Sequence, residues 1–322
     1  MAASSEDEFG SHSPQGDGHG RAGSFGHVPV LLQEAIDFLT IRRGGTYIDA
    51  TLGAGGHSLA IARRLGRQGH LIAFDKDPDA LGLARRKLES PPADLKDDWP
   101  RITLIHASFA EIAQRVEHRT ADGLIADLGI SSMQLADASR GFSFQAEGPL
   151  DMRMDPRNER SADQVVNHMR ESDLADVIYE FGEERRSRRI ARAIVRARPI
   201  RSTQHLAQVV SASAPTMKSG HIHPATRTFQ AIRIFVNHEL DDVRAMITGK
   251  TAGAPLVLKS GGRMVILSFH SLEDRIVKDA MRDGAREGLW RLLTKKPVTA
   301  TEEEIERNPR ARSAKLRAAE KV

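Results

Sequence analysis

The sequence predicts an α/β fold, a doubly wound, Rossmann-like core interrupted by an inserted all-helical domain. Three observations predict it. Residues 27–137 alternate short apolar runs with helical periods, residues 138–237 carry helix signals only, and the alternation returns over residues 238–322. Alternating strands and helices form a parallel sheet covered on both faces. An insertion at the carboxyl ends of the strands lies over the ligand crevice.

The first part of the core has four candidate strands, each followed by a helix signal. Gly66 is a typical residue just past a helix end, and Asp77 before Pro78 is a typical helix start. Ser108 and Glu111 have the spacing of a capping box. The strands are predicted at Thr46–Ala50, His70–Phe74, Ile102–His106 and Gly123–Asp127.

The middle of the chain is predicted to be helical throughout. From Phe229 to Ile247 the apolar residues step by three and four, which predicts one long helix. The shorter helices are predicted at Ser161–Met169, Ser172–Phe181, Glu183–Ala197 and Thr203–Ala214.

The α/β pattern resumes after Gly249. Gly261 and Gly262 precede a predicted strand at Met264–Leu267, and residues 271–274 have the pattern of a helix cap. Residues 290–299 and 313–321 are expected to supply a last pair of strands. Residues 1–26, rich in Gly, Ser, His and acidic residues without an apolar core, are expected to form a disordered tail.

The composition excludes several kinds of chemistry. The chain of 322 residues has no cysteine, so it can form no disulfide, Cys-ligated zinc site or iron–sulfur cluster, and no thiolate can attack a pyrimidine ring. No apolar run approaches the roughly 20 residues of a membrane span, so we expect a cytoplasmic protein without membrane contact. The histidines at 221, 223 and 270 have no third ligand at a recognisable spacing, and no metal is expected.

Polar and flexible residues follow the predicted strands at one edge of the sheet. Gly53, Gly55 and Gly56 follow the first strand, Asp75 ends the second, and Asp127 ends the fourth. Glycines let the backbone approach a ligand, and an acid at the next strand tip can bind ribose hydroxyls. The pattern therefore predicts a nucleotide-type site. A nicotinamide-dependent oxidoreductase is one alternative, although Ser58 stands where a third spaced glycine is usual.

Arginine is concentrated in the predicted insertion. The net charge is only +4, but residues 185–201 contain eight arginines and no acid. Such a cluster suits phosphate contacts, whereas a solvated helix face is the alternative. Polar loops that mix Arg, His and Phe suit single-stranded RNA, since bases stack on aromatic rings. A ribosome-assembly factor that binds RNA without chemistry is a second alternative function.

Several long motifs resemble those of the MraW-type family of 16S ribosomal RNA (cytosine-N4)-methyltransferases. The resemblance runs from residue 27 to about 319 and leaves out only the tail. The motifs are GAGGHS (53–58), RGFSF (140–144), PLDMRMD (149–155), EERRSRRIARAI (183–194), HPATRTFQAIRI (223–234), SFHSLEDRIVK (268–278) and NPRARSAKLR (308–317).

The resemblance implies a class I methyltransferase that uses S-adenosylmethionine to methylate the exocyclic amine of one cytidine. The target lies in 16S ribosomal RNA, in the decoding region of the small ribosomal subunit. By match to the family's motifs, the predicted cofactor contacts are Gly53, Gly55, Gly56, His57, Asp75, Phe109, Asp127 and Gln134.

Asp127 and His270 are the candidate catalytic residues, because an acceptor for the amine proton is needed near the strand tips. The residues expected to contact RNA are Arg185, Arg189, Arg192, Arg196, Arg227, Arg310 and Arg312. The sequence makes no prediction about the oligomeric state.

Overall fold

The computed structural model describes residues 29–213, 223–248 and 253–322. The predicted tail, His221 and Gly249 lie outside the described residues. The strands are β1 (Thr46–Asp49), β2 (His70–Asp75), β3 (Arg101–His106), β4 (Ala121–Asp127), β5 (Leu258–Ser268), β6 (Trp290–Leu292) and β7 (Lys315–Lys321).

The α-helices in this part of the chain are numbered in chain order. They are α1 (Leu32–Leu39), α2 (Gly56–Leu65), α3 (Pro78–Leu88), α4 (Ile112–Arg115), α5 (Ser132–Ala136), α6 (Glu171–Gly182), α7 (Ser187–Arg196), α8 (Thr203–Ser213), α9 (Ala225–Asn237), α10 (Glu239–Ile247), α11 (Ala254–Val257), α12 (Ser271–Arg286) and α13 (Glu302–Arg307).

The seven strands form one sheet in the order β3-β2-β1-β4-β5-β7-β6. The first five pair in parallel, whereas β7 runs antiparallel between β5 and β6. The strand order reverses between β1 and β4, and ligands of doubly wound sheets bind at such a switch point, outside the carboxyl ends of the strands. The predicted fold class is confirmed.

Local chemistry explains where the core helices begin and end. The Asp77 carboxylate accepts the N–H of Asp79 at 3.0 Å, and Pro78 opens α3. Gly66 follows α2 with a φ of 70°, a conformation that favours glycine. The sheet is buried between two hydrophobic clusters, one centred on Ile48 and Phe74 and the other on Tyr47 and Ile125.

The region between β4 and β5 has a hydrophobic cluster of its own. Its buried members run from Phe142 to Val236 and come mainly from α6 to α9. No strand occurs among the described residues of this region. The division of the chain at residues 138 and 237 stays a prediction.

The predicted long helix from Phe229 to Ile247 is wrong, because the structure divides it at His238. This residue has a φ of 53°, so α9 ends and α10 begins there. The Asn237 side chain donates to the carbonyl of Met152 and accepts the N–H of Met154, both at 2.7 Å. These bonds from another segment fix the break.

Three further boundaries differ from the predictions. Glu183 has a φ of 48° and follows α6, so α7 begins only at Ser187. Ser108 accepts the N–H of Ala110, but Glu111 pairs with Arg115, so the predicted capping box is replaced by a 3-10 turn. Residues 261 and 262 lie inside β5 rather than before it.

Candidate functional site

The glycine turn after β1 approaches its neighbours so closely that side chains would not fit. Gly53 and Gly55 have φ values of 49° and 73°, which favour glycine. A Cβ on Gly56 would lie 2.3 Å from the Cγ of Pro29, well inside contact distance. The turn thus leaves its main chain open toward the carboxyl edge of the sheet.

Asp75 joins the end of β2 to this turn. One carboxylate oxygen accepts the N–H of Gly53 at 2.8 Å, and the other accepts the N–H of Asp77 at 2.9 Å. Burial raises the pKa of Asp75 to about 6, although these two hydrogen bonds oppose the shift. A carboxylate oxygen can accept more than one bond, so both remain able to receive hydroxyl groups of a ligand.

Asp127 stands at the end of β4, beside the switch point. Its main-chain N–H donates to the Oγ1 of Thr51 at 2.6 Å, which ties β4 to the glycine turn. Burial raises the pKa of its carboxyl group to about 7; the charge of Arg310 lowers it, and that of Glu273 raises it. Its Oδ1 is buried and has no hydrogen-bond partner among the described residues. Such a carboxyl group is suited to accept a proton near neutral pH.

His57 faces Asp127 from the first turn of α2. Its Nδ1 lies 3.7 Å from the Oδ2 of Asp127, and its Nε2 is buried without a hydrogen-bond partner in the described chain. Burial lowers the pKa of the imidazole, against the opposing charge of Asp49. His57 is therefore a neutral neighbour of Asp127 rather than a permanent counter-charge.

The turn that follows Asp127 is fixed by a capping box that the sequence analysis missed. Ser131 accepts the N–H of Gln134, whose side chain in turn accepts the N–H of Ser131. The Nε2 of Gln134 donates to the buried carboxylate of Asp77 at 2.8 Å. The Ser-x-x-Gln spacing was a visible signal for this motif.

These elements surround one cleft of about 1040 Å³, its open mouth included. Drug-sized ligands occupy pockets of roughly 300–1,000 Å³, so a nucleoside-sized cofactor fits. The cleft brings together seven predicted residues, which are Gly53, Gly56, His57, Asp75, Phe109, Asp127 and Gln134. Gly55 instead packs toward Ala84, 3.2 Å from the position of its missing Cβ.

A buried charge network that the sequence analysis missed forms another wall of the cleft. Arg233 makes two hydrogen bonds to the carboxylate of Glu239, at 2.9 and 2.8 Å. Glu273 accepts the N–H of Phe269 and lies 3.1 Å from the Nε2 of His270. Burial acts to raise the pKa of Glu273, but the charge of His270 and these bonds lower it overall. Glu239 and Glu273 line the cleft, and no pattern of periodicity marked them.

Residues 24–322 match the sequence pattern of the MraW methylase family. The chain belongs to the MraW methylase family. It is 70% identical over 297 residues to ribosomal RNA small subunit methyltransferase H of Koribacter versatilis, covering 92% of this chain and 94% of the relative. The protein of the same name from Acidobacterium capsulatum is 61% identical, covering 92% and 98%.

A solved ribosomal RNA methylase of Streptococcus thermophilus is similar over 92% of this chain and 99% of its own, with 13% identity and a TM-score of 0.39. Membership of the MraW methylase family rests on the sequence relatives. It confirms the resemblance stated above, and S-adenosylmethionine is the methyl donor of this family. The remaining question is whether the cleft suits that cofactor.

The cleft of this MraW-family methylase fits S-adenosylmethionine. Asp75 offers carboxylate oxygens at a strand tip, where the ribose of a nucleoside is expected. The ring of Phe109 lines the same cavity and offers an apolar face. His57 and Asp127 each present a buried polar atom without a hydrogen-bond partner among the described residues, a typical sign of a ligand position.

The predicted RNA-contacting arginines lie in two different environments. The side chains on and before α7 and on α9 are exposed, as is Arg312; these are Arg185, Arg189, Arg192, Arg196 and Arg227. Glu183, just before this arginine-rich turn, pairs with Arg275 at 3.0 Å and so joins it to α12. Arg310, by contrast, is half-buried and lines the cleft. The surface near α12 therefore carries a dense positive charge.

His270 lies apart from the other candidate residues. Its backbone precedes α12, and its Nδ1 is 3.4 Å from the N–H of Glu273 as a helix cap. It does not line the cleft, although its neighbours Phe269 and Glu273 do. Its catalytic role stays a prediction.

Two other kinds of site were searched for in the described residues. No group of three or more His, Asp or Glu side chains there could hold a metal ion. No helix in the described ranges is both long and apolar enough to cross a membrane.

Proposed function

We propose that this chain transfers a methyl group from S-adenosylmethionine to the exocyclic N4 amine of a cytidine in 16S ribosomal RNA, in the decoding region of the small subunit. Family membership and the names of the relatives support methylation of small-subunit ribosomal RNA. The observation that carries the proposal is Asp127, whose unpartnered Oδ1 and raised pKa suit it to receive the proton of an amine.

The chemistry of the amine determines what the protein must supply. When bound, S-adenosylmethionine supplies a methyl group on a positively charged sulfur. The N4 lone pair of cytosine is delocalised into the ring, so an acceptor on its N–H favours the pyramidal geometry needed for attack. As the nitrogen–carbon bond forms and the sulfur–carbon bond breaks, Asp127 takes the displaced proton as a general base. No covalent adduct with the ring is required, which agrees with a chain that has no cysteine.

Asp127 is preferred over His270 as the proton acceptor on geometric grounds. Asp127 lines the cleft, whereas His270 is paired with Glu273 beside it. Gly53, Asp75 and Gln134 hold or frame the cofactor side of the cavity, and they orient rather than react. Orientation of two bound reactants accounts for a large part of the rate increase in such transfers.

We further propose that residues 138–237 form the substrate-recognition domain, inserted into a core made of residues 27–137 and 238–322. The exposed arginines at 185, 189, 192, 196, 227 and 312 would contact phosphates, while the target base leaves its stack to enter the cleft. The position of the arginine-rich turn beside α12, whose Glu273 lines the cleft, supports this arrangement.

The direct test uses radiolabelled S-adenosylmethionine and small ribosomal subunits that lack the modification. After incubation, the RNA is digested and the labelled nucleoside is identified by chromatography and mass spectrometry. We expect a single N4-methylated cytidine that maps to the decoding region. Label in another nucleoside would contradict the proposal, and RNA binding without label would favour an assembly factor. Naked 16S RNA in parallel shows whether the assembled subunit is required.

A further inference from the structure

Arg310 reaches the cleft from the opposite end of the chain. It belongs to a 3-10 segment, Pro309–Ser313, that precedes β7. The segment is anchored because Ala311 and Ala314 are buried in the hydrophobic cluster on one face of the sheet. A side chain that starts from such an anchored backbone can hold a defined position.

The guanidinium of Arg310 donates a hydrogen bond to the main-chain carbonyl of Ile130. Ile130 lies in the turn between Asp127 and α5, where Gly129 has a φ of 93° that only glycine adopts readily. The far end of this turn is held by the bond from Gln134 to Asp77. Arg310 therefore supplies a second tie, close to Asp127 itself.

The charges that face Asp127 come from four different elements. Asp49 on β1 and Glu273 on α12 are carboxyl groups, which oppose the ionisation of Asp127. His57 on α2 is kept neutral, because burial lowers its pKa. Arg310 favours the charged form of Asp127, and arginine keeps its charge at all physiological pH values.

We propose that Arg310 is a positioning residue for methyl transfer, orienting the turn after β4 and keeping the Asp127 carboxyl group ionised as a proton acceptor. This inference rests on the function proposed above. It assigns Arg310 to the reaction cleft, whereas the sequence analysis predicted a phosphate contact.

The test compares Arg310→Gln and Arg310→Lys with the unchanged protein, using kcat/KM for the methyl donor across pH 5.5–9. Activity that needs the Asp127 carboxylate is present above its pKa and lost as the pH falls through it. An opposite charge within about 4–6 Å lowers a carboxyl pKa by roughly 1–3 units, so in Arg310→Gln the acidic limb should rise by about one pH unit. Arg310→Lys should restore the limb toward its original pH, because it restores the charge.

The turn-orienting role has its own readout. Lysine lacks the planar fork of arginine, so Arg310→Lys should keep a several-fold lower kcat at the pH optimum even where its acidic limb is normal. The matched control is Arg286→Gln, which removes one exposed positive charge at the end of α12 and should match the unchanged protein. Thermal unfolding of each variant confirms that it is folded.

Three outcomes would overturn the inference. The first is an Arg310→Gln profile that overlays the original one. The second is a raised KM for RNA and a reduced salt dependence with an unmoved acidic limb, which would make Arg310 a phosphate contact. The third is an unchanged pH dependence of S-adenosylmethionine affinity, measured by calorimetry without RNA. Because calorimetry needs no methyl acceptor, it tests Arg310 even if cytidine proves to be the wrong acceptor, which the labelling experiment on the unchanged protein detects.

Discussion

Replacing Asp127 by Asn should separate catalysis from folding. The two side chains have nearly the same shape, and the main-chain bond from residue 127 to Thr51 is independent of the side chain. The change removes the proton acceptor while leaving the end of β4 in place. We therefore expect a folded protein with little methyl transfer.

The structure gives opposite signs for the effects on activity and on stability. A positioned general base contributes roughly 100- to 10,000-fold, or about 2.7–5.4 kcal/mol of transition-state stabilisation. The pKa of Asp127 is raised in the fold from 3.8 to about 7. A raised carboxyl pKa means that ionisation opposes folding, so the protein loses stability as the pH rises from about 4 to 7. Asn lacks this cost, and Asp127→Asn should be more stable at pH 8 by a few kcal/mol at most.

Two assays measure these effects on the same samples. Single-turnover transfer of labelled methyl groups to small subunits gives the rate, and urea unfolding at pH 5 and pH 8 gives the free energy. Calorimetry with S-adenosylmethionine shows whether cofactor binding survives, which separates loss of chemistry from loss of the donor. Near-normal turnover with normal cofactor binding would refute the role of Asp127, and equal stability gains at both pH values would refute the electrostatic reasoning.

Three further predictions concern other parts of the molecule. Asp75→Asn should weaken S-adenosylmethionine about 10- to 100-fold in calorimetry, because hydrogen bonds to a charged group contribute about 1.5–3 kcal/mol. Asn237→Ala should lower the free energy of unfolding in urea by roughly 2–5 kcal/mol, because it leaves two buried main-chain groups without partners. The pair Arg189→Gln and Arg196→Gln should reduce the salt slope of RNA binding by about 1.4, that is about 0.7 for each lost contact to a single strand. An unchanged cofactor affinity, urea midpoint or salt slope would contradict the respective prediction.

The core of the fold was predictable because its signals are local. The strands precede glycines or acids at their carboxyl ends, and the start of α3 at Asp77 and Pro78 is fixed by a side chain that bonds its own backbone. The same holds for the glycine turn, where positive φ values require glycine at residues 53 and 55. Signals of this kind survive without knowledge of any distant contact.

The break at His238 could not be predicted in this way. Neither glycine nor proline marks it, and the apolar period of three and four residues continues through it. The causes are distant in sequence, since Lys76 donates to the carbonyl of Asn237 at 2.8 Å and pairs with Asp242. Because Lys76 follows Asp75 directly, the break joins the end of the predicted insertion to the cofactor side of the cleft. A helix pattern alone contains no information about such a tie.

The position of Arg310 has a cause of the same type. Its neighbours in sequence are basic, so composition predicts a phosphate-binding surface. The antiparallel pairing of β7 with β5 instead brings the preceding segment to the carboxyl edge of the sheet, 180 residues away from Ile130 in sequence. Charge composition therefore predicts that arginines are available, whereas strand order decides which of them enters the cleft. The seventh strand, inserted between β5 and β6, is what brings a permanent positive charge to the side of Asp127.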